Sequence, residues 1–210
     1  MRQLVLASRN RGKLAEMQSL LAPLGLRLRL VSEFSDEVPE ETALSFVENA
    51  LIKARHAARV SGLPALADDS GLEVEALAGA PGVRSARYAG DQADDAANNA
   101  ALLRALEGVG AARRGARFVC ALVLLRHPED PVPLLAQATW HGRVLTAPRG
   151  TLGFGYDPLF YLADQGKTAA ELSPAAKNRL SHRARAARLL VRQLRENPQR
   201  LREAQRLPAS

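Results

Sequence analysis

Over residues 4–31 the hydrophobic pattern changes period twice, and this switch limits the possible folds more than any other feature of the chain. Leu4-Val5-Leu6-Ala7 is a short unbroken apolar run, the pattern of a buried strand. It runs into Ser8-Arg9-Asn10-Arg11-Gly12 and then into a helical pattern with Leu14, Met17, Leu20 and Leu21 on one face, which Pro23 and Gly25 end. Leu26 to Val31 alternates apolar residues with Arg, as a half-exposed strand does. After an acidic loop the pattern predicts a helix over Thr42 to Arg59, with Phe46, Ala50, Lys53, Ala54 and Ala57 along one stripe. A short strand over Pro64 to Ala67 then ends on Asp68-Asp69-Ser70-Gly71. A turn at Pro81-Gly82 and a helix over Asp94 to Leu106 follow. Ala116 to Leu125 and Leu134 to His141 are two longer strands around Pro128-Glu129-Asp130-Pro131. A glycine-rich loop, Thr151 to Pro158, precedes a final helix over Ser181 to Glu196, with Ala184, Ala187, Leu190 and Leu194 on one face. Intermixed strands and helices give an α/β class built on a mixed sheet.

The chain's 210 residues fit one domain, or one domain of two lobes around a cleft. No repeat or linker divides it. A chain of this size buries roughly 70% of its unfolded surface, so it needs no disulfide or structural metal. Its one cysteine, Cys120, lies in an apolar run and reads as packing. The opening residues are too short for a secretory signal, and no run approaches the ~18–20 apolar residues of a membrane span. A cytoplasmic protein with no membrane partner is expected.

The net charge of +7 raises a nucleic-acid reading that its distribution opposes. Lys177 to Arg206 holds ten basic and two acidic residues, a local +8 that leaves the rest at −1. A solvated, Arg-rich helix and tail explains the high pI, and few aromatics are available to stack on bases.

Four features carry chemistry. Arg9, Arg11 and Lys13 crowd the start of the first helix, where cations oppose the macrodipole by roughly 0.3–1 kcal/mol each. A bound anion reverses that sign, and free N–H groups with nearby cations suit phosphate. Ser8 and Asn10 add hydrogen-bonding side chains there, although no Walker motif is present. Ser181-His182-Arg183, with Lys177 upstream, repeats the pattern at the last helix. Two such starts suggest a ligand with several phosphates, or a phosphate plus a polar ring. The adjacent Asp68 and Asp69 repel each other, and a hard cation such as magnesium is the usual compensation; Glu40-Glu41 offers further carboxylates. Such a carboxylate also orients or deprotonates water. In Gly153-Phe154-Gly155-Tyr156-Asp157-Pro158 the glycines admit close approach, Phe154 can stack on a base and Asp157 can accept from a ring N–H. Lys53, on an otherwise apolar stripe, needs an anionic partner. His56, His127 and His141 lack ligand-like spacing and read as ordinary.

Taken together these segments resemble the inosine triphosphate pyrophosphatase family, the Ham1 or RdgB group. The resemblance rests on Leu6 to Lys13; Glu41 with Phe46 to Ala50 and Lys53-Ala54; and Ala67 to Leu72. It continues in Pro81 to Val83 with Ser85 to Tyr88, Gly153 to Pro158, and Lys177 with Ser181 to Arg183, all in family order. It implies a magnesium-dependent homodimer that hydrolyses non-standard purine triphosphates (dITP/ITP, XTP/dXTP) to monophosphate and pyrophosphate, cleansing the nucleotide pool. It also implies two lobes flanking a deep nucleotide-binding cleft.

Carried over by position, Ser8, Arg9, Asn10, Arg11, Gly12 and Lys13 would hold the phosphates, with Lys53 nearby. Glu41 and Asp69 would serve the metal. Asp69 would take the proton of the attacking water, supported by Asp68. Ser70, Phe154, Gly155, Tyr156, Asp157, Lys177, His182 and Arg183 would bind the nucleotide. The resemblance places the catalytic domain at 1–197 and leaves a basic tail at 198–210 with no role. Arg84 stands where an aromatic is frequent, and Leu152 where glycine is common. A Maf-type nucleotide pyrophosphatase is the nearest alternative, but its Ser-Pro-Arg-Arg start is absent. A nucleic-acid-binding module using the basic C-terminus is the alternative of another class. The preferred purine, and the way guanine is excluded, stay open.

Overall fold

The computed structural model describes residues 2–200, leaving most of the 198–210 tail outside the described residues. Seven strands form one mixed sheet in the order β2-β1-β3-β4-β5-β6-β7. They are β1 (Arg2–Leu6), β2 (Leu26–Leu30), β3 (Ala65–Val74), β4 (Gly115–Leu125), β5 (Leu134–Val144), β6 (Phe160–Leu162) and β7 (Lys167–Thr168). β1 runs parallel to β2 and β3, while β6 is antiparallel to both β5 and β7. The helices are α1 (Arg11–Leu21), α2 (Phe46–Ser61), α3 (Asp95–Ala105), α4 (Pro174–Leu180) and α5 (His182–Glu196). The α/β class and mixed sheet expected from the sequence are therefore observed. Among the described residues no helix is long and apolar enough to cross a membrane.

The chain divides into two compact units. One comprises the described parts of Met1–Asp69, Cys120–Gln137 and Ala184–Ser210; the other comprises Ser70–Val119 and Ala138–Arg183. In the first unit α1 and β2 follow β1, and small residues let α2 lie close to its sheet. Ala57 and Ala58 pack with Val5, Val31 and Ala65, while Ala50 and Ala54 pack with Ala67, Val123 and Leu125. In the second unit Leu72, Val74, Leu102, Phe118, Trp140 and Phe160 are buried together. The Phe118 and Phe160 rings meet at 4.6 Å, a tilted arrangement that favours aromatic pairs.

Five elements depart from the sequence expectation, and two of them, β6 and β7, are short strands that the pattern does not show. α2 starts at Phe46 rather than Thr42, because the Ser45 hydroxyl caps it by accepting from Glu48 N at 3.3 Å. β3 does not stop before Asp68 but continues to Val74, so Asp68-Asp69-Ser70-Gly71 is strand and not turn. Its later residues Leu72 and Val74 belong to the second unit's core, and their burial outweighs the turn preference of Asp, Ser and Gly. α4, which the hydrophobic pattern does not show, is a separate seven-residue helix that ends at Ser181.

Candidate active site

In the first unit the chemistry gathers around two lysines. Side chains of successive strand residues face opposite ways, and the two aspartates of β3 take different partners. Asp68 Oδ1 lies 3.5 Å from Lys13 Nζ on α1. Asp69 Oδ1 accepts from Lys53 Nζ on α2 at 2.5 Å. Lys53 Nζ also lies 3.2 Å from Glu41 Oε1, so one ammonium bridges two carboxylates. The compensating cations the sequence argument required are thus, in the first instance, Lys13 and Lys53. This cluster also gives Lys53 its expected anionic partner.

Burial sets the electrostatics. It pushes the Asp69 carboxyl above the usual range, and the nearby Glu41 and Asp68 charges add to the rise that Lys53 opposes. For Lys53, burial acts to lower its pKa, but the Asp69 and Glu41 carboxylates outweigh it and hold the ammonium above its ordinary value. Asp69 Oδ2 is buried and accepts no hydrogen bond. A carboxylate so raised, with one oxygen anchored and the other available, has the character of a general base.

Glu41 reaches this cluster because Asn49 fixes the loop that carries it. The Asn49 side chain accepts from Ala43 N at 3.0 Å and donates to Ala43 O at 3.4 Å, and it is fully buried on α2. A cavity of about 200 Å³ is lined by Ser8, Arg9, Lys13, Glu41, Lys53 and Asp68, among others.

The basic loop is more internally committed than its sequence suggested. Ser8 Oγ accepts from Asn10 N at 3.1 Å, and Asn10 Oδ1 caps α1 by accepting from Lys13 N at 3.1 Å. Those two oxygens therefore serve the loop's own backbone. Arg9 pairs with Asp36 at 2.8 Å. Arg11 and Gly12 are exposed in the first turn of α1, which contains no acidic residue. A Cβ at Gly12 would sit 3.0 Å from Asn10 Oδ1, so the capped turn favours glycine there.

In the second unit the Gly153–Pro158 loop is organised around Asp157. Its carboxylate is buried, accepts from Phe154 N at 2.9 Å and pairs with Lys177 of α4. Burial pushes the Asp157 carboxyl up against the lowering effect of Lys177. A Cβ at Gly153 would collide with this carboxylate. The Phe154 ring is 37% exposed, with Lys177 Nζ 4.7 Å and Arg183 Cζ 5.5 Å from its centroid. It is thus a partly exposed aromatic ring with two cations close to it. Gly155 donates to Asp95 Oδ2 at 2.6 Å and accepts from Asn99 Nδ2 at 2.8 Å.

Tyr156, like Asp157 beside it, is buried. Its ring is buried in the core and its hydroxyl donates to Ser85 O at 2.8 Å, so its side chain anchors the loop. His182 and Arg183 open α5 but are buried rather than solvated. The His182 ring stacks on Phe118 at 4.7 Å and lies near Trp140 at 6.3 Å. Ser70 is half-buried within β3.

Sequence reasoning missed Asp36, Asn49, Asp95 and Asn99. Asn49 had a visible signal, a polar residue on the buried stripe of α2. The other three act through tertiary contacts that no local pattern announces. Among the described residues no group of three or more His, Cys, Asp or Glu side chains is placed to hold a metal unaided. The expectation from the sequence is of two protein carboxylates, Glu41 and Asp69, and not of a complete ligand set. Magnesium commonly uses one or two carboxylates completed by water and substrate phosphates. Asp69 and Glu41 are two carboxylates brought beside one another by Lys53.

The model of the Ham1 family matches residues 4–193. The chain is 60% identical over 192 residues to a dITP/XTP pyrophosphatase of Pseudomonas syringae pv. tomato, covering 91% of this chain and 96% of that one. Among solved structures, a HAM1 protein from Coxiella burnetii superposes with a TM-score of 0.86 at 50% identity, covering 93% of this chain and all of the other. The Staphylococcus aureus Ham1 protein superposes with a TM-score of 0.82 at 38% identity, over 93% of this chain and 99% of that one.

Proposed function

The chain belongs to the Ham1 family, and from that premise we propose that it hydrolyses dITP/ITP and XTP/dXTP to the monophosphate and pyrophosphate, removing non-standard purines from the nucleotide pool. This reading makes it a nucleoside-triphosphate pyrophosphatase, as the relatives' names describe those proteins. Within that family the Maf-type and nucleic-acid-binding alternatives find no support. The observation that carries the mechanism is the Lys53 ammonium, which holds Asp69 Oδ1 and Glu41 together beside a cavity lined by Lys13 and Arg9.

In the mechanism, water attacks the α-phosphorus, the bond to the bridging oxygen breaks and pyrophosphate leaves. Asp69 accepts the water's proton; its raised pKa makes it the stronger base, and Lys53 fixes its orientation. Asp68 keeps Lys13 in place, and Lys13, Arg11 and the first-turn N–H groups of α1 bind phosphate oxygens. Mg²⁺ would be held by Glu41 and Asp69, where it would neutralise charge on the phosphates.

Base reading falls to the second unit. Phe154 offers a stacking face steadied by Lys177 and Asp157. Hypoxanthine and xanthine carry an acceptor at O6, where adenine carries an amino donor. Donors on His182 and Arg183 therefore match the former and face a donor in the latter, a mismatch that discriminates strongly. We assign one catalytic domain to residues 1–197, acting in the cytoplasm as a homodimer on free nucleotides, with no nucleic-acid or membrane partner.

Asp69→Asn tests the assignment. It keeps the shape and removes the base, so turnover of dITP is expected to fall by at least ~10²-fold, the scale of general-base catalysis. Nucleotide binding, measured by calorimetry, should remain. Near-wild-type turnover would remove Asp69 from the role of base.

A further inference from the structure

α2 brings a second side chain to the phosphate cavity. His56 lies three residues beyond Lys53, a spacing that puts both on one face of the helix. Both line the cavity of about 200 Å³ with Ser8, Arg9 and Lys13. His56 Nε2 is buried and has no hydrogen-bond partner in the fold. Buried polar nitrogens are almost always satisfied, so one beside a binding cavity points to a ligand atom.

The lining identifies the kind of ligand. It holds two lysines, an arginine, a serine and carboxylates, but no Phe, Tyr or Trp on which a base could stack. It suits phosphate oxygens and offers nothing to a purine ring. A neutral imidazole with its proton on Nε2 donates one hydrogen bond, and a protonated one adds charge. The arginine and lysines of the lining each have a carboxylate beside them: Arg9 has Asp36, Lys13 has Asp68, and Lys53 has Asp69 and Glu41. His56 supplies a donor that none of these carboxylates engages among the ion pairs described.

We infer that His56 is a further substrate-positioning residue, whose Nε2–H binds the pyrophosphate half of the triphosphate, the part that leaves. The inference rests on the hydrolytic reading above for its substrate, but its binding claim is measurable without turnover. No local pattern marks it, since a lone histidine between Arg55 and Ala57 has the spacing of no motif.

Calorimetric titration of inorganic pyrophosphate with Mg²⁺, into wild type, His56→Ala and His56→Gln, tests it beside steady-state kinetics on dITP. His56→Ala should raise the pyrophosphate Kd and the dITP KM together by roughly tenfold, the worth of one hydrogen bond to a charged group. It should leave kcat within about twofold and the dITP to dATP preference unchanged, the pattern of uniform binding loss. His56→Gln, which retains an N–H donor, should recover part of the loss. An unchanged pyrophosphate Kd in a folded His56→Ala, or in His56→Gln and His56→Leu alike should the alanine variant fail to fold, overturns the inference. Pyrophosphate binding by a wild type that hydrolyses no triphosphate would instead sink the hydrolytic reading and leave the His56 claim to the Kd comparison.

Discussion

Asp130 shows how a buried charge is accommodated in this chain. It sits in the Pro128–Pro131 turn between β4 and β5, is 1% exposed, and has both oxygens fully engaged. Oδ2 accepts from Arg126 N at 3.0 Å and Nε at 2.9 Å. Oδ1 accepts from Arg126 Nη2 at 2.6 Å and Val132 N at 3.1 Å. Burial alone would raise its pKa, but the Arg126 guanidinium and the backbone N–H bonds hold it far below the ordinary carboxylate value. A carboxylate depressed in the folded state stabilises fully above its unfolded pKa of about 3.9, and the contribution disappears as pH falls toward the folded value. Asp130→Asn is therefore expected to cost about 2 kcal/mol at neutral pH, the worth of hydrogen bonds to a charged group. The difference from wild type should shrink steadily in denaturant melts below about pH 4. A gap that stays constant down to pH 2 would show that the charge contributes nothing. Arg114 follows a different rule: it is buried without a carboxylate and donates to the carbonyls of Leu106, Val109 and Leu145 at 2.8–3.2 Å.

At the scale of elements, α3 holds the Gly153–Pro158 loop. Asp94 caps the helix by accepting from Ala97 N at 2.8 Å, which leaves the next residue, Asp95, to take Gly155 N. One turn on, Asn99 donates both to Asp95 O at 2.7 Å and to Gly155 O at 2.8 Å. The peptide groups on both sides of Gly155 are thereby fixed to one helix, and Phe154 is its immediate neighbour. Asn99→Ala should leave global stability within about 1 kcal/mol, since the site is partly exposed, yet lower the dITP to dATP preference in kcat/KM. An unaltered preference would mean that the clamp does not set the position of Phe154.

The same elements mark what the sequence could and could not disclose. β1, α1, β2 and the two long strands were legible because their hydrophobic period was undisturbed. β3 was cut short at Asp68 because its turn-forming residues are held extended by tertiary burial. α4 escaped notice because seven residues give too little period, though Ser173 capping it ahead of Pro174 was a readable start. Lys13, Lys53, Asp68 and Asp69 could each be named from charge in the wrong place. Which lysine takes which aspartate depends on strand alternation and helix placement. The burial of His182 against Phe118 and Trp140 joins residues distant in sequence, and no local pattern carries it.

For the molecule as a whole, charge and fold divide cleanly. The +7 net charge comes from the C-terminal stretch, and the exposed Arg188, Arg192 and Arg195 of α5 explain it without a polyanion. The groups argued to bind phosphate and metal are few, and Lys13, Lys53, Glu41, Asp68 and Asp69 are held in ion pairs. This is the economy of a site for one small anionic ligand, not of a nucleic-acid surface. The central claim is the reaction and its choice of base. Pyrophosphate release from dITP, XTP, dATP, dGTP, dCTP and dTTP with Mg²⁺ tests it most directly. The account predicts rapid release from dITP and XTP, with dATP and the pyrimidines slower by orders of magnitude. Equal rates on all six, or activity confined to the pyrimidines, would contradict it.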